Sequence, residues 1–314
     1  MSETLAVTRP PEPDFSAITT EELIAYREAE NRWRASSAAL PILGEPDPRV
    51  AIEWHDVALP GRDLPVRVYR PTSTTRTDLP LVIHVHGGGF VGIAAQCDWT
   101  NSHLAANLPA LVVSVEHRLL APDSPLANAA DDGWDVLDHV LRHAAQWGID
   151  PTRTAVFGES CGALISALTA IRAREAGLRL AAQVLVNPVI DVTETMFDYP
   201  SMAEYAYRPT RALPLFQLFQ RLAVAPGTDA RASSPLSAHD LSGLAPALLV
   251  VPTLDAVADH GRRYAERLRA AGTTVRLTEY PGARHAFLTL PGVEPQAEIA
   301  RAEILEFLRA ALAV

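Results

Sequence analysis

The sequence contains no lysine, and all 27 of its basic residues are arginine. This absence excludes Schiff-base chemistry, hydrolases whose general base is the lysine of a Ser-x-x-Lys motif, and P-loops whose lysine contacts a phosphate. The arginines form no basic run, and the formal net charge is −10. Binding to nucleic acid or to an anionic membrane surface is therefore disfavoured.

Cysteine is also scarce, because Cys97 and Cys161 are the only two. Two cysteines are too few for a disulfide framework or a zinc cluster, so we expect two reduced thiols and no metal. No apolar run approaches the length that spans a bilayer, and the first residues lack a basic segment followed by an apolar one. We therefore expect a soluble, cytoplasmic protein without a membrane partner.

The hydrophobic pattern changes along the chain. Residues 51–59 and 64–69 alternate apolar and polar side chains around a Pro-Gly turn, which predicts an antiparallel hairpin. Six short, mostly β-branched runs follow, separated mainly by helical stretches. The runs begin at Leu81, Leu111, Thr154, Ala182, Ala247 and Thr274. The predicted helices cover 128–147, 161–176, 259–271 and 295–312. This alternation predicts a mostly parallel eight-stranded sheet with helices on both faces.

Two segments stand outside this alternation. Residues 20–34 have apolar side chains at helical spacing, with Thr20 as the expected N-cap. Residues 193–226 are rich in aromatic side chains and have no strand pattern, which indicates a helical insertion. We divide the chain into an N-terminal cap segment (1–45), a first core part (46–194), a cap insertion (195–232) and a second core part (233–314).

The segment Gly158-Glu-Ser-Cys-Gly162 joins a buried strand to a helix. A strand–Gly-x-Ser-x-Gly–helix unit holds its serine in a sharp, strained turn, and the glycines remove Cβ atoms that would clash there. The unit predicts that Ser160 is an exposed nucleophile. A five-residue motif occurs by chance often enough that a base, an acid and an oxyanion hole are needed to support this prediction.

The base and the acid should follow the carboxyl ends of later strands. His285 lies between the last strand and the last helix, whereas His84 and His86 come too early in the chain and His260 is expected to be solvent-exposed. For the acid, Asp255 directly follows a buried strand. The competing Asp259 resembles an acidic residue at a helix N-terminus, where it is favoured for structural reasons alone.

The oxyanion hole is predicted from His86-Gly-Gly-Gly-Phe90, which follows the strand that begins near Leu81. Successive glycines let backbone N–H groups approach a substrate oxygen. We expect the N–H groups of Gly87, Gly88 and Cys161 to be the donors, with Cys161 acting through its backbone and not through its thiol. The chain order Ser160, Asp255, His285 is that of α/β-hydrolases.

With these motifs the chain resembles the hormone-sensitive-lipase-like family of bacterial α/β-hydrolase esterases over about residues 50–314. Further similarities are Glu116-His-Arg-Leu-Leu-Ala-Pro, Gly148-Ile-Asp-Pro-Thr-Arg and Ser233-Ser-Pro-Leu. The resemblance implies an α/β-hydrolase fold with a helical cap, and a carboxylesterase that uses no cofactor.

These residues predict a serine carboxylesterase that acts on short-chain esters. Its expected partners are a small-molecule ester and, in a homodimer, a second copy of the chain. The aromatic cap insertion and the helix 20–34 favour short acyl chains because together they would enclose a short apolar pocket. Two alternatives stay open at this point. One is a ligand-binding receptor on a hydrolase scaffold, and the other is an amidase or lactonase that uses the same triad.

Overall fold

The computed structural model describes residues 7–73, 76–209 and 211–314. Its strands are β1 (Val50–Leu59), β2 (Arg62–Pro71), β3 (Leu79–Val85), β4 (Leu111–Val115), β5 (Ile149–Glu159), β6 (Ala182–Val186), β7 (Ala247–Leu254) and β8 (Val275–Arg284). Its α-helices are α1 (Thr20–Arg34), α2 (Leu40–Leu43), α3 (Asp98–Asn107), α4 (Leu126–Arg142), α5 (Ala144–Trp147), α6 (Cys161–Glu175), α7 (Pro200–Tyr205), α8 (Ala212–Ala223), α9 (Ala258–Ala270) and α10 (Gln296–Leu312).

The eight strands form one sheet in the order β1-β2-β4-β3-β5-β6-β7-β8. Strand β2 is antiparallel to both of its neighbours, and the strands from β4 through β8 pair in parallel. The predicted α/β-hydrolase fold, with its hairpin followed by a parallel sheet, is confirmed. Parallel pairing brings the carboxyl ends of β3, β5, β7 and β8 to one side of the sheet, where the segments that follow them meet.

The central strands of the sheet are buried on both faces, since their residues alternate between two apolar clusters. Leu81 and Ile83 belong to the cluster that also contains residues of α4, α6 and α9. Val82 and Val112 belong to the other cluster, which contains residues of α3 and α10. Continuous apolar runs were therefore the correct signature of these strands, because both faces of the sheet pack against helices.

Helix α1 begins one residue earlier than its predicted cap would allow. Thr19, not Thr20, is the N-cap: its hydroxyl accepts a hydrogen bond from the Glu22 N–H at 3.2 Å, and the Glu22 carboxylate accepts one from the Thr19 N–H at 2.9 Å. This reciprocal pairing needs a Glu three residues after the cap, and only Thr19 has one. The prediction of Thr20 as the cap was wrong.

Two other helix predictions need correction. The helix predicted over residues 128–147 is interrupted at His143, which separates α4 from α5. Helix α3 was not predicted, because polar side chains interrupt its buried side: Thr100, Asn101 and Ser102 are buried together with Leu104 and Ala105. The insertion contains α7 and α8, as its lack of a strand pattern indicated. None of the helices in the described ranges is long and apolar enough to span a membrane.

Candidate active site

Ser160 lies at the turn between β5 and α6, with φ 54° and ψ −116°. This backbone conformation is strained for a residue with a side chain, and it persists because the neighbouring chain leaves no alternative. A Cβ atom on Gly158 would lie 2.3 Å from the carbonyl oxygen of Gly162, and one on Gly162 would lie 2.1 Å from that of Val85. Both glycines are therefore required by close backbone packing, as the motif predicted.

His285 directly follows β8 and reaches back to Ser160. Its Nε2 atom lies 2.8 Å from the Ser160 Oγ, and its Nδ1 atom lies 2.8 Å from Oδ2 of Asp255. Asp255 is buried just past the end of β7, and its other oxygen accepts a hydrogen bond from the Val257 N–H at 3.0 Å. A carboxylate facing Nδ1 fixes the neutral tautomer that carries its proton there, so Nε2 is free to accept the serine proton.

The competing aspartate has a different set of partners. Asp259 lies in the first turn of α9, where Oδ2 accepts a hydrogen bond from the Ser201 N–H at 2.9 Å and Oδ1 accepts one from Arg262 at 2.9 Å. These contacts join α9 to α7. The side chain thus connects two helices, in keeping with the helix N-terminal role expected for it.

His260 is fully buried, and the expectation that it is solvent-exposed was wrong. Its Nδ1 atom accepts a hydrogen bond from the Ile190 N–H at 3.1 Å. The next residue, Gly261, packs so closely on Val251 that a Cβ atom would lie 2.6 Å from that side chain. The first turn of α9 therefore lies against the sheet, and burial lowers the pKa of His260 to about 4.

The glycine-rich loop after β3 lies against the turn that carries Ser160. A Cβ atom on Gly87 would be 3.0 Å from the Glu159 carbonyl oxygen, and Gly88 has φ 110°. Two side chains hold the Gly87 carbonyl: Nε2 of Gln96 donates at 3.2 Å, and Nδ1 of His86 lies at 2.8 Å. The loop lies beside the turn that carries Ser160, and its glycines have no Cβ atoms to block a substrate oxygen from reaching the N–H groups of the loop.

A pair of stacked imidazoles supports the base of this loop. The rings of His86 and His117 lie 4.3 Å apart, and Nε2 of His117 lies 3.3 Å from the His86 carbonyl oxygen. Burial, followed by the neighbouring His117, lowers the pKa of His86 well below its usual value, so the ring is neutral and can donate from Nδ1 to Gly87. His117 belongs to the segment Glu116-His-Arg-Leu-Leu-Ala-Pro, and no sequence pattern indicated this supporting role.

The Cys161 thiol is buried, and burial raises its pKa to about 12. A thiol with such a pKa stays protonated at neutral pH and is a poor nucleophile. Its backbone N–H begins α6, directly beside Ser160. Both observations agree with the expectation that Cys161 acts through its backbone.

A cavity of about 200 Å³ opens over these groups. Leu215, Phe216 and Phe219 of α8 form part of its apolar wall, and the ring of Phe216 meets that of His285 edge to face at 5.6 Å. Helix α1 reaches the same region, where Arg27 donates hydrogen bonds to the carbonyl oxygens of Phe90 and Leu120. Phe219 belongs to the aromatic insertion that was expected to enclose a pocket, whereas Gln96 was missed, since no local pattern relates it to Ser160.

A serine in a strained strand-to-helix turn, an imidazole after the last strand and a carboxylate after the preceding one define the α/β-hydrolase class of protein. A family model described as alpha/beta hydrolase fold matches residues 82–289. The carboxylesterase NlhH of Mycobacterium tuberculosis is 37% identical over 276 residues, which cover 84% of each chain. This chain therefore belongs to the hormone-sensitive-lipase-like family of α/β-hydrolases.

Two further relatives agree with this assignment. The ethyl acetate hydrolase of Pseudomonas putida is 32% identical over 294 residues, covering 90% of this chain and 89% of the relative. Among solved structures, the hyperthermophilic esterase of Pyrobaculum calidifontis has a TM-score of 0.82 and 31% identity, with 92% of this chain and 93% of that chain covered.

Proposed function

We propose that this protein is a serine carboxylesterase. The observation that carries the proposal is the continuous pair of 2.8 Å contacts from Ser160 through His285 to Asp255 at the base of an apolar cavity. The family assignment and the carboxylesterases among its relatives support the same reaction. The reaction is the hydrolysis of a carboxylic ester through an acyl-enzyme.

In the first half-reaction the Ser160 Oγ attacks the ester carbonyl carbon while Nε2 of His285 takes the hydroxyl proton. The carbonyl oxygen becomes an oxyanion, and the backbone N–H groups of Gly87, Gly88 and Cys161 stabilise it. When the tetrahedral intermediate collapses, the C–O bond to the alcohol breaks and His285 returns the proton to the leaving oxygen. The products of this step are the free alcohol and an acyl group on Ser160.

In the second half-reaction a water molecule takes the place of the alcohol. His285 accepts a proton from the water, and the resulting hydroxide attacks the acyl carbon. Collapse breaks the bond to Oγ, which regains its proton from His285, and the carboxylic acid leaves. Asp255 accepts the hydrogen bond from Nδ1–H throughout and stabilises the imidazolium. None of these steps uses a cofactor or a metal ion.

The size of the cavity favours short acyl groups. Pockets for drug-sized ligands enclose about 300–1,000 Å³, whereas this cavity encloses about 200 Å³. We assign its cover to the described residues of the cap segment 1–45 and of the cap insertion 195–232, because Arg34 of α1 and Phe216 and Phe219 of α8 all line it; residues 1–6 and 210 of these two segments lie outside the described ranges. Ethyl acetate hydrolase, one of the relatives, is named for a short ester.

The test is a small activated ester together with a fluorophosphonate probe, which reacts with activated serines. We expect hydrolysis without added metal or cofactor, and a covalent adduct on Ser160 that mass spectrometry locates. Ser160→Ala should abolish both. An adduct on Cys161, or hydrolysis that a chelator removes, would contradict the serine mechanism. Folded protein that shows neither labelling nor turnover would instead favour the ligand-binding receptor.

Amides and lactones need the same attack on a carbonyl carbon, so a panel of matched ester, amide and lactone substrates decides among leaving groups. The cytoplasmic location and the homodimer expected from the sequence stay predictions. Cell fractionation tests the first, and the molar mass measured by light scattering tests the second.

A further inference from the structure

Three potential metal ligands lie together behind the turn that carries Ser160. They are His84 of β3, Cys97 just before α3, and Glu159 at the end of β5, and each is at most 2% exposed. Oε1 of Glu159 lies 3.9 Å from Nε2 of His84 and 3.7 Å from Sγ of Cys97. One ligand atom from each residue fits within 4.8 Å of both others. The site proposed for ester hydrolysis uses none of these side chains directly.

His84 is oriented as a metal ligand would be. Its Nε2 atom faces the other two residues and has no hydrogen-bond partner among the described residues. Its Nδ1 atom lies 2.7 Å from the Ser114 hydroxyl and 3.0 Å from the amide of Asn101. The Ser114 hydroxyl oxygen can accept a hydrogen bond from Nδ1–H, and a flip of the Asn101 amide presents its otherwise unpartnered Oδ1 to the same N–H. With the proton on Nδ1, the lone pair of Nε2 is free. Metal-binding histidines in proteins are held by this same kind of outer hydrogen bond.

Glu159 is a buried acidic side chain without an arginine partner in the described part of the chain. Within the described part of the chain, His84 is the one basic side chain within 4.0 Å of its carboxylate. The remaining partners are neutral: Cys97 and the hydroxyl of Thr289, which donates to Oε2 at 2.6 Å. Burying a carboxylate without a compensating cation is unfavourable. A cation at Oε1 would offset this cost and leave the contact with Thr289 intact.

We propose that His84, Cys97 and Glu159 form a binding site for a borderline-soft divalent cation of the Zn²⁺ type, which binds Cys97 as the thiolate and releases the thiol proton to solvent. Zinc takes nitrogen, sulfur and oxygen ligands in a tetrahedron with bonds of about 2.0–2.3 Å. Such a tetrahedron separates its nitrogen and oxygen ligands by about 3.3 Å, and its sulfur and oxygen ligands by about 3.6 Å. The 3.7 Å separation from sulfur already matches, and the 3.9 Å separation from nitrogen needs a contraction of about half an ångström.

The three ligands come from three segments that surround Ser160, so the ion would cross-link β3, the start of α3 and the end of β5. Glu159 also forms part of the wall of the main cavity, which gives an entering ion a route to the site. The ion takes no part in the proposed hydrolysis. Its effect is to stabilise the folded protein, because the unfolded chain does not hold the three ligands together.

Co²⁺ is a suitable probe, since it replaces Zn²⁺ and gives visible absorption in a tetrahedral site and an ultraviolet band when a thiolate binds it. The metal-free, reduced protein is titrated with Co²⁺ and its melting temperature is measured with and without Zn²⁺. We expect one equivalent to produce both absorption features, and Zn²⁺ to bleach them and raise the melting temperature.

The two cysteines provide a matched control, because both are buried and free. Cys161→Ser should keep the thiolate band, and Cys97→Ser should lose it. His84→Gln keeps both thiols and should weaken Co²⁺ binding at least tenfold, which covers the case in which Cys97→Ser fails to fold. The proposal is wrong if folded wild-type protein binds no Co²⁺, if the band survives in Cys97→Ser, or if it disappears in Cys161→Ser alone.

Discussion

Replacing Asp255 by asparagine should disable the proposed base without altering the shape of the site. Oδ1 of Asp255 accepts a hydrogen bond from the Val257 N–H, and Oδ2 faces Nδ1 of His285. An asparagine has one accepting oxygen and one donating NH₂ group. The buried Val257 N–H requires the oxygen, so the NH₂ group is left facing His285.

A donor opposite Nδ1 reverses the tautomer of His285. The proton moves to Nε2, which then cannot accept the proton of Ser160 at the start of the reaction. Loss of the correct tautomer in a serine protease triad lowers turnover by about 10⁴-fold, or about 5 kcal/mol at 1.36 kcal/mol for each tenfold. We expect a loss of about 10³- to 10⁴-fold for Asp255→Asn, with the same melting temperature within a few degrees.

The assay is steady-state hydrolysis of a p-nitrophenyl ester of acetate or butyrate, together with the rate of fluorophosphonate labelling at Ser160. Both rates should fall in parallel, because each depends on removal of the same proton. Asp259→Asn is the matched control: its amide oxygen keeps one of the contacts to Ser201 and Arg262 and the other is lost. Neither contact involves Ser160, His285 or Asp255, so turnover should stay within about threefold of wild type while stability drops by about 1 kcal/mol. Equal losses of turnover in the two variants would refute the assignment of Asp255.

Three further predictions concern specificity and pH. Phe219 packs against Gly89, where an added Cβ atom would lie 2.7 Å from the ring, so Phe219→Ala enlarges the cavity there. The ratio of kcat/KM for an octanoate ester to kcat/KM for a butyrate ester should rise at least tenfold. An unchanged ratio would show that Phe219 does not line the acyl pocket. Burial lowers the pKa of His260 to about 4, below the unfolded value of about 6.5. At pH values between these two pKa values, only the unfolded chain binds the proton. The free energy of unfolding therefore falls by about 1.4 kcal/mol for each unit by which the pH is lowered. His260→Asn should remove that slope in urea unfolding measured at pH 6.5 and 5, and an identical slope would contradict it. Burial raises the pKa of Glu116 to about 7, so wild-type stability falls as pH rises from about 4.5 to 7. The free energy of unfolding of Glu116→Gln, relative to that of wild type, should rise by up to about 3 kcal/mol between pH 4.5 and pH 8. No such rise would show that this carboxyl ionises freely.

Local sequence determined those features whose causes lie within a few residues of one another. The alternation of apolar runs and helices predicted the mostly parallel sheet, because burial of both faces demands continuous apolar strands. The glycines around Ser160 predicted the strained turn, since the close approach of Gly158 to Gly162 occurs within five residues. The order of strands along the chain was enough to choose Asp255 and His285, which the fold then brings within hydrogen-bond distance of each other.

Other features depend on contacts between segments far apart in the sequence, and only the tertiary structure decided them. Polar residues interrupt the buried side of helix α3, where Asn101 faces His84 on a neighbouring strand, so no clear apolar periodicity marks it. His260 is buried because the start of α9 packs on the sheet, which its charged neighbours in sequence do not indicate. Counting cysteines excluded a thiolate cluster but could not reveal the proposed mixed set of ligands, since Cys97 and Glu159 are 62 residues apart and meet only where the segment before α3 packs against the end of β5.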